Sequence, residues 1–234
     1  MKRVFFSASF LAAMIFASGT LNGQTKETRS VGDFSKVSFG VSGNLNIRIG
    51  SEFRVEIEGD KRAVEETEMQ VSGDRLVIRR ENWRFSFNGD DRVTVNITMP
   101  ELEGLGVSGS GNAQIMNKVV ADKLSLSVSG SGKLQTADLD ADELDCGISG
   151  SGDIYLGSSG SVDNGEISIS GSGNFSGESV EIDHLSVSVS GSGNCTCRVG
   201  DSLEARISGS GNVSYEGNPK IDVRVSGSGK VRSR

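Results

Sequence analysis

Val107-Ser108-Gly109-Ser110-Gly111-Asn112-Ala113 is the first full copy of a phrase that recurs through the second half of the chain. The phrase consists of an apolar residue, Ser, Gly, Ser, Gly, a polar residue and an apolar residue. Later copies begin at Val128, Ile148, Ile169, Val189, Ile207 and Val225, so that successive starts are 21, 20, 21, 20, 18 and 18 residues apart. A repeat of about 20 residues is typical of a solenoid, in which each copy forms one coil stacked on the next.

Apolar and polar residues alternate on the way into each phrase, as in Leu124, Leu126 and Val128. Period-two alternation indicates a half-buried β-strand, and it argues against the alternative of a flexible Gly/Ser linker. Carried through the phrase, the alternation places both Gly residues inward and both Ser residues outward. Because an inward Gly in a strand indicates a bend or a close backbone approach, we expect the Gly pair at a corner of each coil.

The polar position after the second Gly forms an outward column when the coils stack. Its members are Asn112, Lys133, Asp153, Asn174, Asn194, Asn212 and Lys230. Stacked strands lie about 4.8 Å apart, so that amides in such a column can hydrogen-bond to one another, and Lys133 can pair with Asp153. Either the column only stabilises the stack, or it also recognises a sugar or another protein. We take Asn174, Asn194 and Asn212 as the candidate ligand face.

Residues 1–23 have the pattern of a secretory signal peptide. Lys2 and Arg3 precede an apolar stretch from Val4 to Ala17, and small residues follow. The apolar stretch is shorter than the roughly 20 residues of a membrane helix, and no later segment resembles a transmembrane helix. We therefore expect export to the periplasm, the cell surface or the extracellular space.

The chain is acidic, with 24 Lys and Arg against 31 Asp and Glu, a formal net charge of −7. Without Lys2 and Arg3 the balance becomes 22 − 31 = −9. An acidic chain with no basic cluster argues against nucleic acid as a partner.

Residues 24–106 are β-rich but less regular. Val41-Ser42-Gly43-Asn44 and Val71-Ser72-Gly73-Asp74 are shortened phrases, which predict that the solenoid begins here in degenerate form, and Asp60 to Glu68 predict one helical turn. Because an open solenoid end exposes interior and strand edges, we assign this segment to capping and the regular coils to residues 107–234. Trp83, the only Trp, is expected either to cover the cap or to serve as a binding hot spot.

Catalytic and metal chemistry find little support in the sequence. His184 is the only His, so that a Ser-His-Asp triad or a His-rich metal site is hard to assemble, and we expect it to be a solvated turn residue. Cys195 and Cys197 are expected as buried small residues on one strand face, and Cys146 lies on a different part of its coil. Three thiols cannot all pair, and the sequence provides neither a disulfide framework nor the ligands of a zinc site. Acidic residues fall mainly in predicted turns, namely Asp138, Asp140, Asp142, Glu143 and Asp201. We predict no catalytic residue, no cofactor and no metal.

The chain resembles one protein family in four features taken together. They are the signal-peptide pattern, the early Val41-Ser42-Gly43-Asn44, the joint Met99-Pro100-Glu101-Leu102 and the Ser-Gly-Ser-Gly-Asn series. The family is the putative autotransporter adhesin head GIN domain family of Bacteroidetes-type Gram-negative bacteria, and the resemblance covers nearly the whole chain after residue 23. It implies a right-handed parallel β-helix, export and a role in adhesion, and it supplies no catalytic residues.

We therefore predict an all-β protein, a single-stranded right-handed parallel β-helix with a less regular β-rich N-terminal part. The expected function is that of an exported, non-enzymatic cell-envelope protein, an adhesin or binding module for a glycan, an envelope polymer or a surface protein. One alternative is a carbohydrate-active enzyme, a polysaccharide lyase or hydrolase, on the same scaffold. The other is a purely structural envelope protein.

Overall fold

The computed structural model describes residues 24–80 and 92–234. The predicted signal peptide and Trp83 lie outside these ranges. Within them the chain forms 19 β-strands and one short α-helix, which confirms the all-β class. No helix in these ranges has the length and the apolar character to cross a membrane.

The N-terminal part contains seven strands and the helix. They are β1 (Gln24–Arg29), β2 (Lys36–Phe39), β3 (Gly43–Ile49), β4 (Arg54–Asp60), α1 (Lys61–Glu65), β5 (Thr67–Ser72), β6 (Arg75–Arg80) and β7 (Val93–Met99).

Each regular coil has a long side, a corner and a short side. The strands that form the long sides are β8 (Gly104–Gly109), β10 (Val119–Gly130), β12 (Leu139–Gly150), β14 (Gly160–Gly171) and β18 (Lys220–Gly227). The short sides are β9 (Asn112–Ile115), β11 (Lys133–Gln135), β13 (Asp153–Tyr155), β17 (Asn212–Glu216) and β19 (Lys230–Ser233). Two longer strands run from a short side into the next long side, β15 (Asn174–Gly191) and β16 (Asn194–Gly209).

The coils stack in parallel and in register, as the repeat predicts. Strand β10 pairs with β8 on one side and β12 on the other, so that Val128 lies between Val107 and Ile148. These three side chains are no more than 2% exposed. The short sides add a second buried column, formed by Ala113, Leu134, Ile154, Phe175, Cys195 and Val213. Both columns meet in one hydrophobic core along the stack.

The two Gly residues of the phrase have different roles at the corner. The second Gly, such as Gly173, is buried as predicted, and a Cβ there would lie 2.1 Å from the carbonyl oxygen of Gly152. The first Gly is not inward, so that part of the prediction is wrong. Gly171 has φ +126°, and its Cβ would point along the stack, 2.3 Å from the carbonyl oxygen of Gly150. That oxygen also accepts a 2.8 Å hydrogen bond from the backbone N–H of Ser172, which holds the coils too close for any side chain.

The N-terminal coils are not stacked in chain order. Strand β2 lies between β6 and β8, and β3 lies between β7 and β9, all in parallel. Strands β2 and β3 therefore form a coil that lies between β6 and β7 on one side and β8 and β9 on the other. Asn44 aligns with Asn112, so Val41-Ser42-Gly43-Asn44 is a true corner, as predicted.

The second shortened phrase, Val71-Ser72-Gly73-Asp74, is not a corner, and its prediction is wrong. Strands β5 and β6 pair antiparallel, with Ser72 opposite Arg75. Gly73 has φ +63°, which suits a two-residue hairpin turn. Only Gly73 and Asp74 separate β5 from β6, so the chain reverses direction at once and has no residues from which to form a short side.

Antiparallel elements close the N-terminal end of the stack. Strand β4 pairs with β7, and β1 pairs with β4. The predicted helical turn is α1, where the Asp60 carboxylate accepts a 2.9 Å hydrogen bond from the Arg62 backbone N–H. Ala63 and Val64 of this helix are buried in the core.

Candidate binding face

The three candidate Asn residues each begin a short side, directly after the second Gly of a corner. Asn174 aligns with Asn194, and Asn194 aligns with Asn212. The residue after each Asn belongs to the buried column, so that alternation along the strand turns the amides outward. The structure therefore places the three predicted residues in one outward column.

The amides are joined to one another by hydrogen bonds along the stack. Nδ2 of Asn212 donates to Oδ1 of Asn194, and Nδ2 of Asn194 donates to Oδ1 of Asn174, both at 3.0 Å. Nδ2 of Asn174 donates to Oδ1 of Asp153 at 2.8 Å. We call these four residues the asparagine ladder. All donors point towards the Asp153 carboxylate, so that each bond polarises the next and the last acceptor carries the negative charge.

The ladder fixes the amides without using all of their hydrogen-bonding capacity. An Asn amide has two N–H donors and an oxygen with two lone pairs. The ladder uses one N–H and one lone pair of Asn194, whose side chain is exposed. The remaining donor and acceptor are available to a ligand, in an orientation that the stack has already set.

Hydroxyl side chains border the ladder on both sides. The corner contributes Ser172, Ser192 and Ser210, which are exposed. Two residues beyond each Asn lie Ser176, Thr196 and Ser214, the last of which is buried and accepts a 3.2 Å hydrogen bond from Nε of Arg232. The face is thus a strip of exposed corner hydroxyls and amides, bordered by an inner column of half-buried to buried hydroxyls, that repeats about every 4.8 Å along the stack. The inner hydroxyl column was not singled out from the sequence, although period-two spacing from each Asn would have found it.

The expected ion pair of Lys133 with Asp153 is absent, although both residues lie in the described range. Nζ of Lys133 lies 4.2 Å from the centroid of the Tyr155 ring. The Tyr155 hydroxyl donates to Oδ2 of Asp153 at 3.4 Å. Burial, reinforced by the Asp153 charge, raises the pKa of Tyr155, so that it stays protonated and able to donate. The two carboxylate oxygens of Asp153 therefore accept hydrogen bonds from Asn174 of the ladder and from Tyr155.

His184 lies in strand β15 rather than in a turn, which corrects the prediction, although it is exposed as expected. Its Nδ1 lies 3.0 Å from Oγ of Ser202, and its Nε2 lies 3.9 Å from Oδ2 of Asp201. The three residue types of a hydrolytic triad thus come together, which the sequence did not predict. In a triad, a buried carboxylate hydrogen-bonds to the imidazole and orients it, whereas the Asp201 side chain is 73% exposed and too distant.

Cys195 and Cys197 are buried and free, as the sequence predicts, and Cys146 is buried and free as well. Burial raises the pKa of Cys146. A hydrogen bond with Cys197, together with burial, raises the pKa of Cys195 well above its ordinary value. Because the thiolate is the reactive form, these thiols are packing residues rather than nucleophiles.

Most of the acidic residues assigned to turns lie in strands, so that prediction is wrong for them. Asp140, Asp142 and Glu143 belong to β12, and Asp201 belongs to β16. Strand β12 pairs with β10 and β14 through this stretch, although its polar sequence has the composition of a turn. Several of these carboxylates are in ion pairs, as with Glu143 and Lys123 at 2.8 Å.

The carboxyl groups with shifted pKa values give no support for a glycosidase acid. Such an acid needs a raised pKa, whereas every carboxyl in the described ranges whose pKa departs from its ordinary value has a lowered pKa. They are Glu56, Asp74 and Asp140, and the largest cause is in each case a hydrogen bond to a cation, from Arg54, Lys36 and Lys118 respectively. Among the described residues, no group of three or more His, Cys, Asp or Glu side chains is arranged to hold a metal ion.

Comparison with known proteins gives one family match. Residues 33–219 match the profile of the family described as "Putative auto-transporter adhesin, head GIN domain". No curated protein matches the chain.

Several solved structures share this fold. A putative adhesin from Bacteroides fragilis superposes with a TM-score of 0.85 at 23% identity, covering 92% of this chain and 98% of that one. A putative adhesin from Parabacteroides distasonis gives 0.74 at 24% identity, covering 90% and 97%. A putative lipid binding protein from the same species gives 0.70 at 20% identity, covering 91% and 97%. At these identities the likeness shows a shared fold.

Proposed function

The chain belongs to the auto-transporter adhesin head GIN domain family, and from that membership we propose that it is an exported, non-enzymatic binding protein of the cell envelope. Adhesin-type binding is the role that the family description and the names of two structural relatives support. We further propose a repetitive ligand, either a glycan, another envelope polymer or a surface protein, bound along the asparagine ladder.

The observation that carries the proposal is the continuous chain of hydrogen bonds from Asn212 to Asp153. A chain of this kind holds three amides at equal intervals with little conformational freedom left to lose on binding. Equal intervals suit a ligand whose own groups recur at a regular spacing. Weak contacts at several positions then add through avidity.

The chemistry of the rest of the described surface favours binding over catalysis. The thiols are buried, and His184 lacks a carboxylate within hydrogen-bonding distance of its Nε2. The carboxyls with shifted pKa values are held ionised by neighbouring cations. A carboxyl that acts as a general acid needs a raised pKa, and the pKa values of these three carboxyls are lowered.

The test is a binding screen of the purified protein against immobilised glycans, envelope polysaccharides and matrix proteins. The ladder variant changes Asn174, Asn194 and Asn212 together to Ala. A hydrogen bond contributes about 0.5–1.5 kcal/mol, so that losing one at each site should weaken binding by roughly 10-fold to 1,000-fold.

A matched control changes Asn44 and Asn112 to Ala. These residues share the column and the residue type but lie beyond Lys133 and Asp153, outside the ladder. The control should bind as well as the unchanged protein, and circular dichroism should show both variants folded. Equal loss in both variants would count against the ladder as the site.

Two other results would replace the proposal. Cleavage of a polysaccharide that a single Asp or Glu substitution abolishes would identify an enzyme. Loss of thermal stability in the ladder variant with no ligand in the screen would favour the purely structural role. Export is tested separately, by mass spectrometry of the secreted protein for loss of residues 1–23.

A further inference from the structure

The last described coil differs from the others because nothing in the described ranges stacks on its outer side. Strand β18 pairs only with β16, and β19 pairs only with β17. Ile221, Val223 and Val225, which continue the interior columns, are 54%, 38% and 42% exposed. Their counterparts one coil earlier, Leu203, Ala205 and Ile207, are 1%, 0% and 2% exposed. The coil therefore presents an apolar row beside a free backbone edge, which is a template for a further strand.

This edge is basic although the protein is acidic. Residues 220–234 contain five basic side chains and one acidic side chain, a balance of 5 − 1 = +4 against −7 for the whole chain. The basic residues are Lys220, Arg224, Lys230, Arg232 and Arg234, and the acidic residue is Asp222. Two identical edges would repel each other, whereas an acidic strand would be attracted.

We propose that this edge, formed by β18 and β19, is a docking site for an extended acidic segment of a partner polypeptide, added as a further strand. Strand addition satisfies the free backbone groups, and alternate side chains of the segment cover Ile221, Val223 and Val225. Acidic residues of the segment lie over Arg224, Lys230 and Arg232. An anionic polysaccharide would meet the charges but would leave the apolar row and the amide edge uncovered.

The corner adds a requirement on the partner's sequence. A Cβ on Gly227 or on Gly229 would lie 2.3 Å from the carbonyl oxygen of the Gly beneath it in the preceding coil. The same contact recurs at the regular corners, because parallel coils approach equally closely there. A segment that continues from β18 over the corner to β19 therefore needs Gly at both positions. The proposed partner motif is alternating apolar and acidic residues with an internal Gly-x-Gly.

The probe is a fluorescein-labelled synthetic peptide that would form the next coil, Glu-Val-Lys-Val-Glu-Val-Ser-Gly-Ser-Gly-Glu-Val-Glu-Ser. Fluorescence anisotropy should show saturable binding to the purified protein that weakens as salt is added, because exposed charges are screened. The same peptide with Ala for both Gly should bind at least about tenfold more weakly, corresponding to about 1.4 kcal/mol.

Charge reversal tests the site on the protein. The double variant Arg224→Glu/Arg232→Glu should lose the acidic peptide and gain a peptide in which Lys and Glu are exchanged. The control Arg48→Glu reverses the charge of an exposed cation in β3 and should leave binding unchanged. Binding of both peptides to the double variant in the original order of affinity would overturn the proposal.

Other occupants are distinguishable outcomes, and each would overturn the proposal. Concentration-dependent dimers on analytical ultracentrifugation, abolished by the double variant, would assign the edge to a second copy of the chain. Equal binding of poly-glutamate, of the Ala peptide and of vesicles containing anionic lipid would indicate a general anion surface. Asn212 aligns with Lys230 of this edge, whereas Asn174 and Asn194 belong to earlier coils that do not pair with it, so a double Ala variant at these two positions should bind the peptide normally.

Discussion

The corner glycines offer a sharp test of how the coils are held together, because three single Gly→Ala changes separate strain from collision. Gly171 has both a positive φ and a neighbour in the way, with its Cβ 2.3 Å from the Gly150 oxygen. Gly173 has a collision alone, with a Cβ 2.1 Å from the Gly152 oxygen and 2.6 Å from Cγ2 of Ile148. Gly109 has a positive φ of +85° with nothing within 4 Å of its Cβ.

The size of each effect follows from these distances. Real Cβ contacts are essentially never under 3.0 Å, so Gly171→Ala must open the local coil spacing by 3.0 − 2.3 = 0.7 Å. The 2.8 Å bond from Ser172 to Gly150 spans that gap and would be lost, at about 1 kcal/mol. Backbone strain adds about 1–2 kcal/mol and overpacking about 1–3 kcal/mol. The sum is roughly 3–6 kcal/mol for Gly171, whereas strain alone gives about 1–2 kcal/mol for Gly109.

Thermal unfolding by circular dichroism measures the difference. A chain of this size loses about 2–4 °C in Tm for each kcal/mol, which predicts a fall of roughly 6–24 °C for Gly171→Ala and about 2–8 °C for Gly109→Ala. Ser172→Ala, on the exposed outer face, should leave Tm nearly unchanged. Equal shifts at Gly171 and Gly109 would refute the collision between coils, and no shift at either would refute the tight corner itself.

Three further predictions concern the core, the pH response and the last coil. Phe175→Ala should cost about 3–5 kcal/mol in urea unfolding, because the ring is 1% exposed within the short-side column, and a loss near 1 kcal/mol would contradict that packing. The hydrogen bond from Arg54 lowers the pKa of Glu56, so this pair stabilises the fold above the ordinary Glu pKa and the contribution is lost as pH falls through the lowered value. Glu56→Gln should therefore lower Tm at pH 7, by a margin that closes in acid, and a margin that widens in acid would reverse the argument. Removing the positive charges on and beside the final strand should produce oligomers in light scattering, because like charges on an edge oppose stacking between molecules. The changed residues are Lys230, Arg232 and Arg234, each to Ser, and a persistent monomer would contradict this role of the charges.

The regular coils could be predicted from sequence because their signals are local. Each phrase carries its own alternation, and stacking requires only that successive copies align. The direction of the first Gly could not be predicted in this way. Alternation assumes an extended backbone with negative φ, and Gly171, at φ +126°, turns its Cα substituent along the stack instead. The sequence shows that Gly is present, but the neighbouring carbonyl that requires it belongs to another coil.

The N-terminal part shows where local signals become ambiguous. Val41-Ser42-Gly43-Asn44 and Val71-Ser72-Gly73-Asp74 are nearly the same phrase, yet one is a corner and the other a hairpin turn. The difference lies in the partner strands, which are distant in the chain for the first and adjacent for the second. The insertion of residues 36–49 between later segments is equally non-local, since β2 finds its partners in β6 and β8.

The sequence predicts that the asparagine residues form a column, but it does not predict how the ladder ends at Asp153. Stacking alone pairs Lys133 with Asp153, because their positions align. Tyr155, two residues along the same strand, instead holds Asp153 through its hydroxyl and Lys133 through its ring. Such competition depends on side-chain reach across coils, which the spacing of residues along one strand does not specify.

Coil length varies, yet the ladder stays in register because the length differences are confined to one part of each coil. The number of residues from the interior position four residues before each phrase to the ladder column is constant: 124 to 133, 144 to 153, 165 to 174, 185 to 194 and 203 to 212 are all nine. The return from the column to the same interior position of the next coil takes 11 residues in 133 to 144 and nine in 194 to 203. Register shifts accordingly occur in the return, between Gly177 and Glu181 and between Ile182 and His184. Length differences are absorbed on the side away from the amides, so the corner and the ladder form one rigid unit whose spacing does not depend on the size of the coil.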